Sequence, residues 1–161
     1  MTTPEYNSCV DSYSDGIYRF ILKNIKDSEN ARDVVQDTFE KLWKNAGNVS
    51  FEKAKSYLFT TAYHTMIDKI RKDKRKTTYD DSYENTLSHE TQYSDLKEVL
   101  NEAVSKLPSI QRSVVLLRDY EGYDYKEIGD ITGLNESQVK VYIYRARIFL
   151  RNYIGSMEAV A

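Results

Sequence analysis

The sequence contains almost none of the residues from which metal sites and catalytic centres are usually built. It has one cysteine, Cys9, and two histidines, His64 and His89, which stand far apart without a cluster of metal-binding side chains around either. It also lacks a glycine-rich phosphate loop and a nucleophile–base pair. We therefore expect no metal, no cofactor, no small-molecule substrate and no enzymatic activity. A single cysteine cannot form an intrachain disulfide, which fits the reducing cytoplasm.

Proline and glycine are scarce as well. Two prolines and six glycines among 161 residues disfavour a β-sandwich and a disordered chain. No apolar run is long enough to span a bilayer, and the N-terminus lacks the basic and then apolar pattern of a secretory signal. With 30% charged and 40% hydrophobic residues, the composition favours an all-α, cytoplasmic protein without a membrane-inserted segment.

Two helix-start signals lie about one short helix apart near the end of the chain. Asp124 followed by Glu127, and Asn135 followed by Gln138, both have the spacing of a capping box. Gly133 lies between them, where a helix must end and the chain must turn with positive φ. This pattern predicts a helix, a tight turn and a second helix, which is the arrangement of a helix-turn-helix.

The second helix of this motif has two different faces. Helical geometry puts Val139, Ile143, Ala146 and Leu150 in one narrow sector, which predicts a buried side. From Ser137 to Tyr153 there are four basic residues and no acidic one, although the whole chain has a net charge of −2. Such a helix suits the major groove of duplex DNA; the alternative is a solvated basic face on an ordinary helical hairpin. The outward residues are Ser137, Lys140, Val141, Tyr144 and Arg145, with Arg147 and Arg151 on the flanks.

The first half of the chain has the periodicity of further helices. Residues 1–11 show no period and are expected to be a loose start, followed by a helix from about Ser14 to Lys26. Asp27 or Ser28 then caps a second helix, which runs to about Asn45. Its outward side carries an acidic and polar row that is either a solubilising face or a docking face for a basic helical partner. The row consists of Asp33, Gln36, Asp37 and Glu40.

A third helix is predicted from about Phe51 to Lys72, with Ser50 as its cap. It carries aromatic residues beside small polar ones and ends in a basic run. This suits single-stranded nucleic acid, because bases stack on rings while cations follow the phosphates. The alternatives are aromatic core residues of a three-helix unit and a solvated basic helix end favoured by the helix dipole. The residues outside the inward stripe include Tyr57, Phe59, Tyr63, His64 and Ile67, and the basic run includes Lys69, Arg71 and Lys72.

Between the two halves lies a segment of different composition. Residues 77–94 are polar, acidic, poor in aliphatic residues and without a sustained period, which predicts a linker. We therefore predict an N-terminal helical domain at 1–76, a flexible acidic linker at 77–95 and a four-helix C-terminal domain at 96–161. The predicted fold is all-α, with two small helical domains, and the helix-turn-helix, without a wing, ends the second one.

Each half also carries sequence motifs of a known kind. Residues 33–43 (DVVQDTFEKLW) and 57–72 (YLFTTAYHTMIDKIRK) are in the first half, and residues 107–112 (LPSIQR), 125–129 (YKEIG) and 139–147 are in the second. Together they resemble bacterial RNA polymerase sigma factors of the extracytoplasmic-function class. In that family the first segments dock on the polymerase clamp and melt and read the −10 element, and the second domain reads the −35 element. Both sets in this order make the resemblance specific.

The resemblance implies promoter recognition by the RNA polymerase holoenzyme. The implied partners are core RNA polymerase, through the clamp helices of its largest subunit and the flap of its second largest, together with promoter DNA and an anti-sigma factor. Asp33, Gln36, Asp37 and Glu40 would bind the clamp. Phe39 and Trp43 are expected to fix the second helix in its own core instead.

The resemblance also assigns DNA contacts. The loop Gly47–Phe51 with Tyr63 and His64 would form the pocket for a flipped −10 base, and the full −10 set would be Thr60, Tyr63, His64, Lys69, Arg71 and Lys72. For the −35 element, Lys140 and Arg145 would contact bases or phosphates beside Ser137, Val141 and Tyr144, while Arg147 and Arg151 would bind phosphates. Val141 and Tyr142 stand where the family more often has a small polar and a basic residue, so we expect a promoter preference particular to this chain.

Two other functions fit parts of the sequence. A stand-alone helix-turn-helix regulator that binds an operator as a dimer would account for the second half, but it leaves the aromatic–basic helix of the first half unexplained. An adaptor that uses only the acidic helix for protein docking is the other alternative. The linker is either a plain solvated tether or a negative segment that threads a channel built for nucleic acid.

Overall fold

The computed structural model of the chain describes the backbone of residues 1–76 and 96–160 and the side chains of residues 1–74 and 96–156. All regular structure in these ranges is helical, which confirms the all-α prediction. The predicted linker at 77–95 lies outside the described residues. The helices are α1 (Thr3–Ile25), α2 (Ser28–Lys44), α3 (Ala54–Lys76), α4 (Leu96–Ser105), α5 (Ser109–Val115), α6 (Tyr125–Thr132) and α7 (Glu136–Val160).

The first helix begins at Thr3, so the expectation of a loose start at residues 1–11 is wrong. Thr2 and Glu5 form a capping box, in which the Glu5 N–H donates to Thr2 Oγ1 at 3.2 Å and the Thr2 N–H donates to Glu5 Oε1 at 2.9 Å. Pro4 lies in the first turn, where its missing N–H removes no intrahelical hydrogen bond. A local capping signal, rather than an apolar period, therefore starts this helix.

The connection from α1 to α2 is very short. Lys26 adopts a left-handed φ of 58°, and its N–H donates to the carbonyl of Leu22 at 2.7 Å. Asp27 then accepts from the N–H groups of Glu29 and Asn30 and so caps α2, as predicted. The result is a helical hairpin in which α1 and α2 pack against each other.

The loop between α2 and α3 contains two short 3₁₀ turns, at Ala46–Asn48 and Phe51–Lys53. The α-helix itself starts at Ala54, slightly later than predicted, because the residues after Ser50 form a 3₁₀ turn and the Ser50 side chain makes no capping hydrogen bond. α3 packs on both α1 and α2 and completes a three-helix unit. Its buried residues include Leu58, Ala62 and Met66.

In the C-terminal half, α5 continues into a π-helical segment, Leu116–Tyr120, before Gly122 turns the chain with a φ of 80°. Arg112 of α5 ties this half together. Its guanidinium donates to the carbonyl oxygens of Val104, Ser105 and Leu107 at 3.3, 3.3 and 2.7 Å, which satisfies the end of α4. Burial lowers the pKa of Arg112.

The two halves pack directly against each other, with α1 in contact with α4 and α5, and α3 in contact with α6. Buried side chains from both halves belong to one hydrophobic cluster, in which the ring of Phe59 meets that of Tyr123 edge to face at 5.4 Å. In the two described ranges, none of the helices combines the length and apolar character needed to cross a membrane.

Candidate nucleic-acid interface

The predicted helix-turn-helix is formed by α6 and α7, and both capping boxes are made. The Glu127 N–H donates to Asp124 Oδ1 at 2.8 Å, and the Asp124 N–H donates to Glu127 Oε1 at 3.0 Å. Asn135 and Gln138 exchange the same pair of bonds, at 2.8 and 3.0 Å. Gly133 ends α6 with a φ of 82°, as the sequence predicts.

A second glycine fixes how closely the two helices approach. A Cβ added to Gly129 would lie 2.7 Å from the carbonyl oxygen of Leu134, which is a backbone atom that cannot move aside by a rotamer change. It would also lie 3.9 Å from Cγ2 of Val139 in α7. Gly129 therefore permits the contact between α6 and the turn that orients α7.

The two faces predicted for α7 are present. Val139, Ile143 and Ala146 are buried, and Leu150 is half-buried at the edge of the same side. Tyr144 is 67% exposed and Val141 is 44% exposed, so two large hydrophobic side chains on the opposite side of α7 face solvent. All seven predicted −35 residues are exposed: Ser137, Lys140, Val141, Tyr144, Arg145, Arg147 and Arg151.

Lys140 is oriented by residues around it. Its Nζ lies 5.5 Å from the ring centroid of Tyr125, the first residue of α6, and 4.0 Å from a carboxylate oxygen of Glu136. The guanidinium of Arg118 lies 4.5 Å from the same ring. The ring of Tyr125 thus makes cation–π contacts with both Arg118 and Lys140 at the start of the helix-turn-helix.

Arg147 is held by a partner within the protein. Its Nε donates to Asp119 Oδ2 at 3.1 Å, and its second guanidinium nitrogen pairs with Asp119 Oδ1. The hydrogen bond to Asp119 raises the pKa of Arg147. Asp119 belongs to the π-helical segment, so this ion pair joins α7 to the end of α5.

The acidic row of α2 faces solvent as predicted. Asp33, Gln36, Asp37 and Glu40 are all exposed, and Lys44 follows them on the same helix, 3.4 Å from Glu40. The row is therefore a continuous surface that a basic partner can reach.

The expected burial of Trp43 is wrong, whereas that of Phe39 is confirmed. Phe39 is 7% exposed, but Trp43 is 54% exposed. Trp43 lies about two helical turns after Gln36 and therefore near the same side of α2. Tyr6 of α1 supports it, with ring centroids 5.0 Å apart, while the Tyr6 hydroxyl donates to the carbonyl of Phe39 at 3.0 Å.

A groove of about 650 Å³ opens where the α2–α3 loop meets the first turns of α3. The predicted loop supplies part of its wall, and Thr60, a predicted −10 residue, supplies another part. Asn45 Nδ2 donates to the Tyr57 hydroxyl at 3.1 Å and so steadies one side of the groove. The lining residues are Asn48, Val49, Ser50, Lys53, Ser56, Tyr57, Thr60 and Thr61.

The remaining −10 candidates are not in one place. Tyr63 is only 7% exposed, its pKa is raised by burial, and neither it nor His64 lines the groove. For Tyr63 and Phe59, the interpretation as core residues is confirmed. His64 is exposed beside the Tyr63 ring, with centroids 5.5 Å apart. Further along α3, Arg71 and Lys72 are exposed and Lys69 is half-exposed.

Comparison with known proteins assigns the chain to a family. Residues 9–76 match the family model for Sigma-70 region 2, and residues 97–150 match the model for Sigma-70, region 4. The extracytoplasmic-function sigma factor SigM of Bacillus subtilis strain 168 is 31% identical over 84% of this chain and 86% of SigM. The chain belongs to the sigma-70 family, in its extracytoplasmic-function class. SigV of the same organism is also 31% identical, over 89% of this chain and 87% of SigV.

Two solved structures have the fold of this sigma factor. RpoE of Bartonella quintana, in complex with the anti-sigma factor NepR, has a TM-score of 0.79 at 24% identity and covers 93% of this chain and 96% of RpoE. CnrH, in complex with the cytosolic domain of CnrY, has a TM-score of 0.68 at 18% identity, covering 94% and 88% of the two chains. Family membership identifies this chain as an RNA polymerase sigma factor for promoter-specific transcription.

Three residues near the predicted surfaces of this sigma factor have roles that the sequence patterns do not indicate. Asp119 and Tyr125 orient the cations of α7, and their roles depend on packing between helices that no local pattern reveals. Trp43 is expected in the core because it is large and apolar. Helical spacing alone does offer a signal, since Trp43 falls near the exposed row rather than on the stripe of Val34, Thr38 and Leu42. No group of three or more metal-binding side chains lies together within the described ranges.

Proposed function

We propose that this sigma factor starts transcription through three separate surfaces. The exposed face of α7 binds the −35 element as duplex, the start of α3 captures the melted −10 strand, and α2 docks on core RNA polymerase. The observation that carries the proposal is the division of α7 behind a capped turn. Val139, Ile143 and Ala146 are buried, while cations and a tyrosine point outward on the opposite side.

At the −35 element, Lys140 and Arg145 supply the cations that read base edges or phosphates. Tyr144 and Val141 add apolar contact at the same surface, and Ser137 lies at the N-terminal end that enters the groove first. Arg151 binds the phosphate backbone. The ion pair with Asp119 neutralises part of the charge of Arg147 and so weakens its contact with phosphate. We therefore assign Arg147 first to positioning α7.

At the −10 element, a base must leave the stack, which costs a few kcal/mol that binding to the protein has to offset. The groove between the α2–α3 loop and α3 is the pocket we propose for that base. Its lining residues include Ser56 and Thr60 with hydroxyl groups, Tyr57 with an aromatic ring and Lys53 with a cation, a combination that suits a polar planar ring next to a phosphate. The cations Lys69, Arg71 and Lys72 hold the adjacent strand.

The polymerase site is the exposed row of Asp33, Gln36, Asp37 and Glu40, facing basic residues on the clamp helices of the largest subunit. Charges arranged in this way contribute orientation and association rate more than bulk affinity. Trp43 adds an aromatic anchor at the end of the row. The C-terminal domain, residues 96–161, contacts the flap of the second largest subunit, and residues 1–76 form the other domain.

An anti-sigma factor is a further partner that we propose. RpoE of Bartonella quintana, which shares this fold, was solved with the anti-sigma factor NepR. CnrH, which also shares it, was solved with the cytosolic domain of CnrY. The likeness to these proteins supports the class of partner and not its identity. We also propose that the protein acts in the cytoplasm, where core polymerase and promoter DNA are.

Transcription with purified core polymerase on a genomic fragment library tests the proposal. We expect initiation at defined sites only when this sigma factor is present. Replacing Asp33 and Asp37 together with asparagine should reduce that initiation strongly by slowing the association with polymerase, whereas Asp11→Asn, at an exposed acid of α1, should leave it unchanged. Tight, sequence-specific binding of the isolated chain to duplex at physiological salt, without any effect of polymerase, would favour a stand-alone regulator.

A further inference from the structure

The outward side of α7 carries an apolar stripe in addition to its cations. Val141, Tyr144 and Ile148 follow one another at spacings of three and four residues, so helical geometry places them in one sector of about 60°. Val141 and Tyr144 are exposed, and Ile148 is half-buried. These three residues, called the apolar stripe below, run along the middle of the surface that we propose for duplex DNA.

The apolar stripe does not belong to the core of the protein. Within the described ranges, none of its residues packs against a buried hydrophobic cluster, although Tyr142, the neighbour of Val141, does. Folding therefore leaves this apolar area in contact with water. Contiguous exposed apolar residues, unlike scattered ones, are typical of interaction surfaces.

Cations flank the apolar stripe on both sides. Helical geometry puts Lys140 and Arg151 along one flank and Arg145 along the other, and all three are exposed. No acidic residue occurs from Ser137 to Tyr153. A complementary molecule therefore offers apolar groups between two negative borders. The major groove of duplex DNA has this pattern wherever thymine occurs, because phosphates border the groove and the C5-methyl of thymine is an apolar group inside it.

The polar side chains at the start of α7 are poorly suited to read adenine or cytosine directly. Adenine is read by an amide that uses its oxygen and its nitrogen together, and cytosine by a carboxylate. Gln138 is the only amide from Ser137 to Arg151, and its oxygen already accepts from the Asn135 N–H at 3.0 Å. The carboxylate of Glu136 lies 4.0 Å from Lys140 Nζ. Cations, which read guanine, and apolar groups, which contact thymine, therefore remain for direct reading.

We propose that Val141 and Tyr144 read the methyl groups of two thymines in the −35 element. Three residues of α-helix rise about 4.5 Å and successive base pairs lie about 3.4 Å apart, so the two thymines belong to base pairs no more than two steps apart. Ile148 lies further from the N-terminal end of α7, which enters the groove, and we assign it no base. The inference rests on the proposed −35 role of α7 and deepens it by naming the base and the chemical group that are read.

Replacement of thymine by deoxyuridine tests this reading with the holoenzyme. Deoxyuridine lacks only the C5-methyl group and keeps the base pair and its hydrogen-bonding groups. The holoenzyme first selects its preferred −35 element from a randomised library, and each thymine of either strand is then replaced singly in a labelled duplex. At two positions, no more than two base pairs apart, we expect the affinity measured by fluorescence anisotropy to fall about fourfold, which corresponds to one methyl group lost from an apolar contact. Replacement of the other thymines should have no effect.

Variants of the two residues assign each methyl group to its reader. Val141→Ala should make thymine and deoxyuridine bind equally at one of the two positions, and Tyr144→Ala should do so at the other. Tyr144→Phe keeps the ring and should keep the full discrimination. Arg151→Ala is the matched control on the same helix, because loss of a phosphate contact should weaken all duplexes alike and leave the ratio between thymine and deoxyuridine unchanged. All three positions are exposed, so these changes should not disturb the fold.

The outcomes separate thymine reading from the proposed function. A selected −35 element without thymine, or one in which deoxyuridine has no effect at any position, would overturn thymine reading, while the proposed function stands if the holoenzyme binds this duplex and starts transcription. Unchanged discrimination in both alanine variants would assign the methyl groups to other side chains and reject the proposal. If both variants instead lose affinity for core polymerase in the absence of DNA, the apolar stripe docks a protein and the proposal is wrong. A holoenzyme that binds no −35 duplex would overturn the proposed function and this inference together.

Discussion

Arg147 of α7 and Asp119 of the π-helical segment form a two-bonded ion pair, with Arg147 Nε 3.1 Å from Asp119 Oδ2. Both side chains are partly exposed, so the pair itself is expected to contribute no more than about 1 kcal/mol to folding. Its effect on α7 is geometric, because it links the helix to the end of α5. Substitution of Asp119 therefore distinguishes two roles of Arg147, which are positioning α7 and binding phosphate.

If Arg147 positions α7, Asp119→Ala should weaken −35 binding about as much as Arg147→Ala does, and the double variant should be no worse than either. If Arg147 mainly binds phosphate, Asp119→Ala should release it and leave or strengthen binding. Fluorescence anisotropy with holoenzyme and a labelled −35 duplex measures all three. Additive losses in the double variant would count against the positioning role.

Arg145 is expected to determine sequence preference, whereas Arg151 is not. A good bidentate contact to a base is worth roughly 1–3 kcal/mol of discrimination. Arg145→Ala should therefore reduce affinity for the preferred promoter by that amount, and the difference in affinity between preferred and mismatched promoters should become smaller. Arg151→Ala should weaken all sequences alike and flatten the salt dependence of binding. Selection of promoters from a randomised −35 library by holoenzyme distinguishes them. Equal loss of preference in both variants would show that Arg145 reads no base.

Trp43 is expected to be a polymerase anchor and not a core residue. Trp43→Ala should weaken binding to core polymerase by about 2 kcal/mol, because exposed tryptophans that become buried in an interface are often hot spots. The free energy of unfolding should fall by only about 1 kcal/mol, since Trp43 is 54% exposed and an edge contact of this kind with Tyr6 contributes little more. Phe39→Ala is the matched comparison and should mainly destabilise the fold, by about 3 kcal/mol or more. Surface plasmon resonance and urea denaturation separate the two effects.

The groove at the start of α3 should be filled by a single larger side chain. Thr60→Phe places a ring among Ser56, Tyr57 and Thr61, and we expect it to abolish opening of the −10 region while leaving −35 binding intact. His64→Phe, one turn further along α3 and outside the groove, should have a much smaller effect. Permanganate reactivity of promoter thymines reports the opening. A larger defect in His64→Phe than in Thr60→Phe would place the pocket away from the groove.

Burial of two tyrosines predicts a loss of stability in alkali. The pKa values of Tyr63 and Tyr123 are raised above their ordinary value of 10.0 by burial, so the folded state retains both protons where the unfolded state loses them. Stability from this source is therefore complete below about pH 10 and falls as the pH rises further. Tyr123→Phe should fall less steeply than the wild type in urea denaturation between pH 9 and about pH 11. Tyr144→Phe, at a side chain 67% exposed, should follow the wild type.

Local signals in the sequence account for much of the C-terminal motif. The side-chain caps Asp124 and Asn135 and the glycine at 133 act on their own backbone, so their spacing alone predicts where α6 ends and α7 begins. The division of α7 into buried and exposed faces follows from helical periodicity in the same way. These parts of the candidate site are therefore predictable from the amino-acid sequence alone.

Features that depend on contacts between distant segments could not be predicted in this way. The large apolar side chain of Trp43 favours burial, whereas its helical spacing places it near the exposed row, so its support by Tyr6 follows only from the packing of α1 against α2. The sequence leaves Tyr63 as either a stacking residue or a core residue, and only the packing of the helices around α3 decides for the core. The start of α1 differs from its prediction for another reason: Thr2 and Glu5 carry a capping signal that the lack of an apolar period obscures.

Gly129 has no Cβ, and one placed there would lie 2.7 Å from the carbonyl oxygen of Leu134, so the close packing of α6 against the turn before α7 is set by backbone atoms. The outward residues of α7 take no part in that contact. Their identities can therefore change without altering how the helix is presented, and under the proposed −35 role of α7 we expect substitutions at Val141 or Tyr144 alone to change promoter preference. For the same reason, we expect that the outward residues of the corresponding helix in a relative can be transplanted onto α7 while the contact at Gly129 stays unchanged.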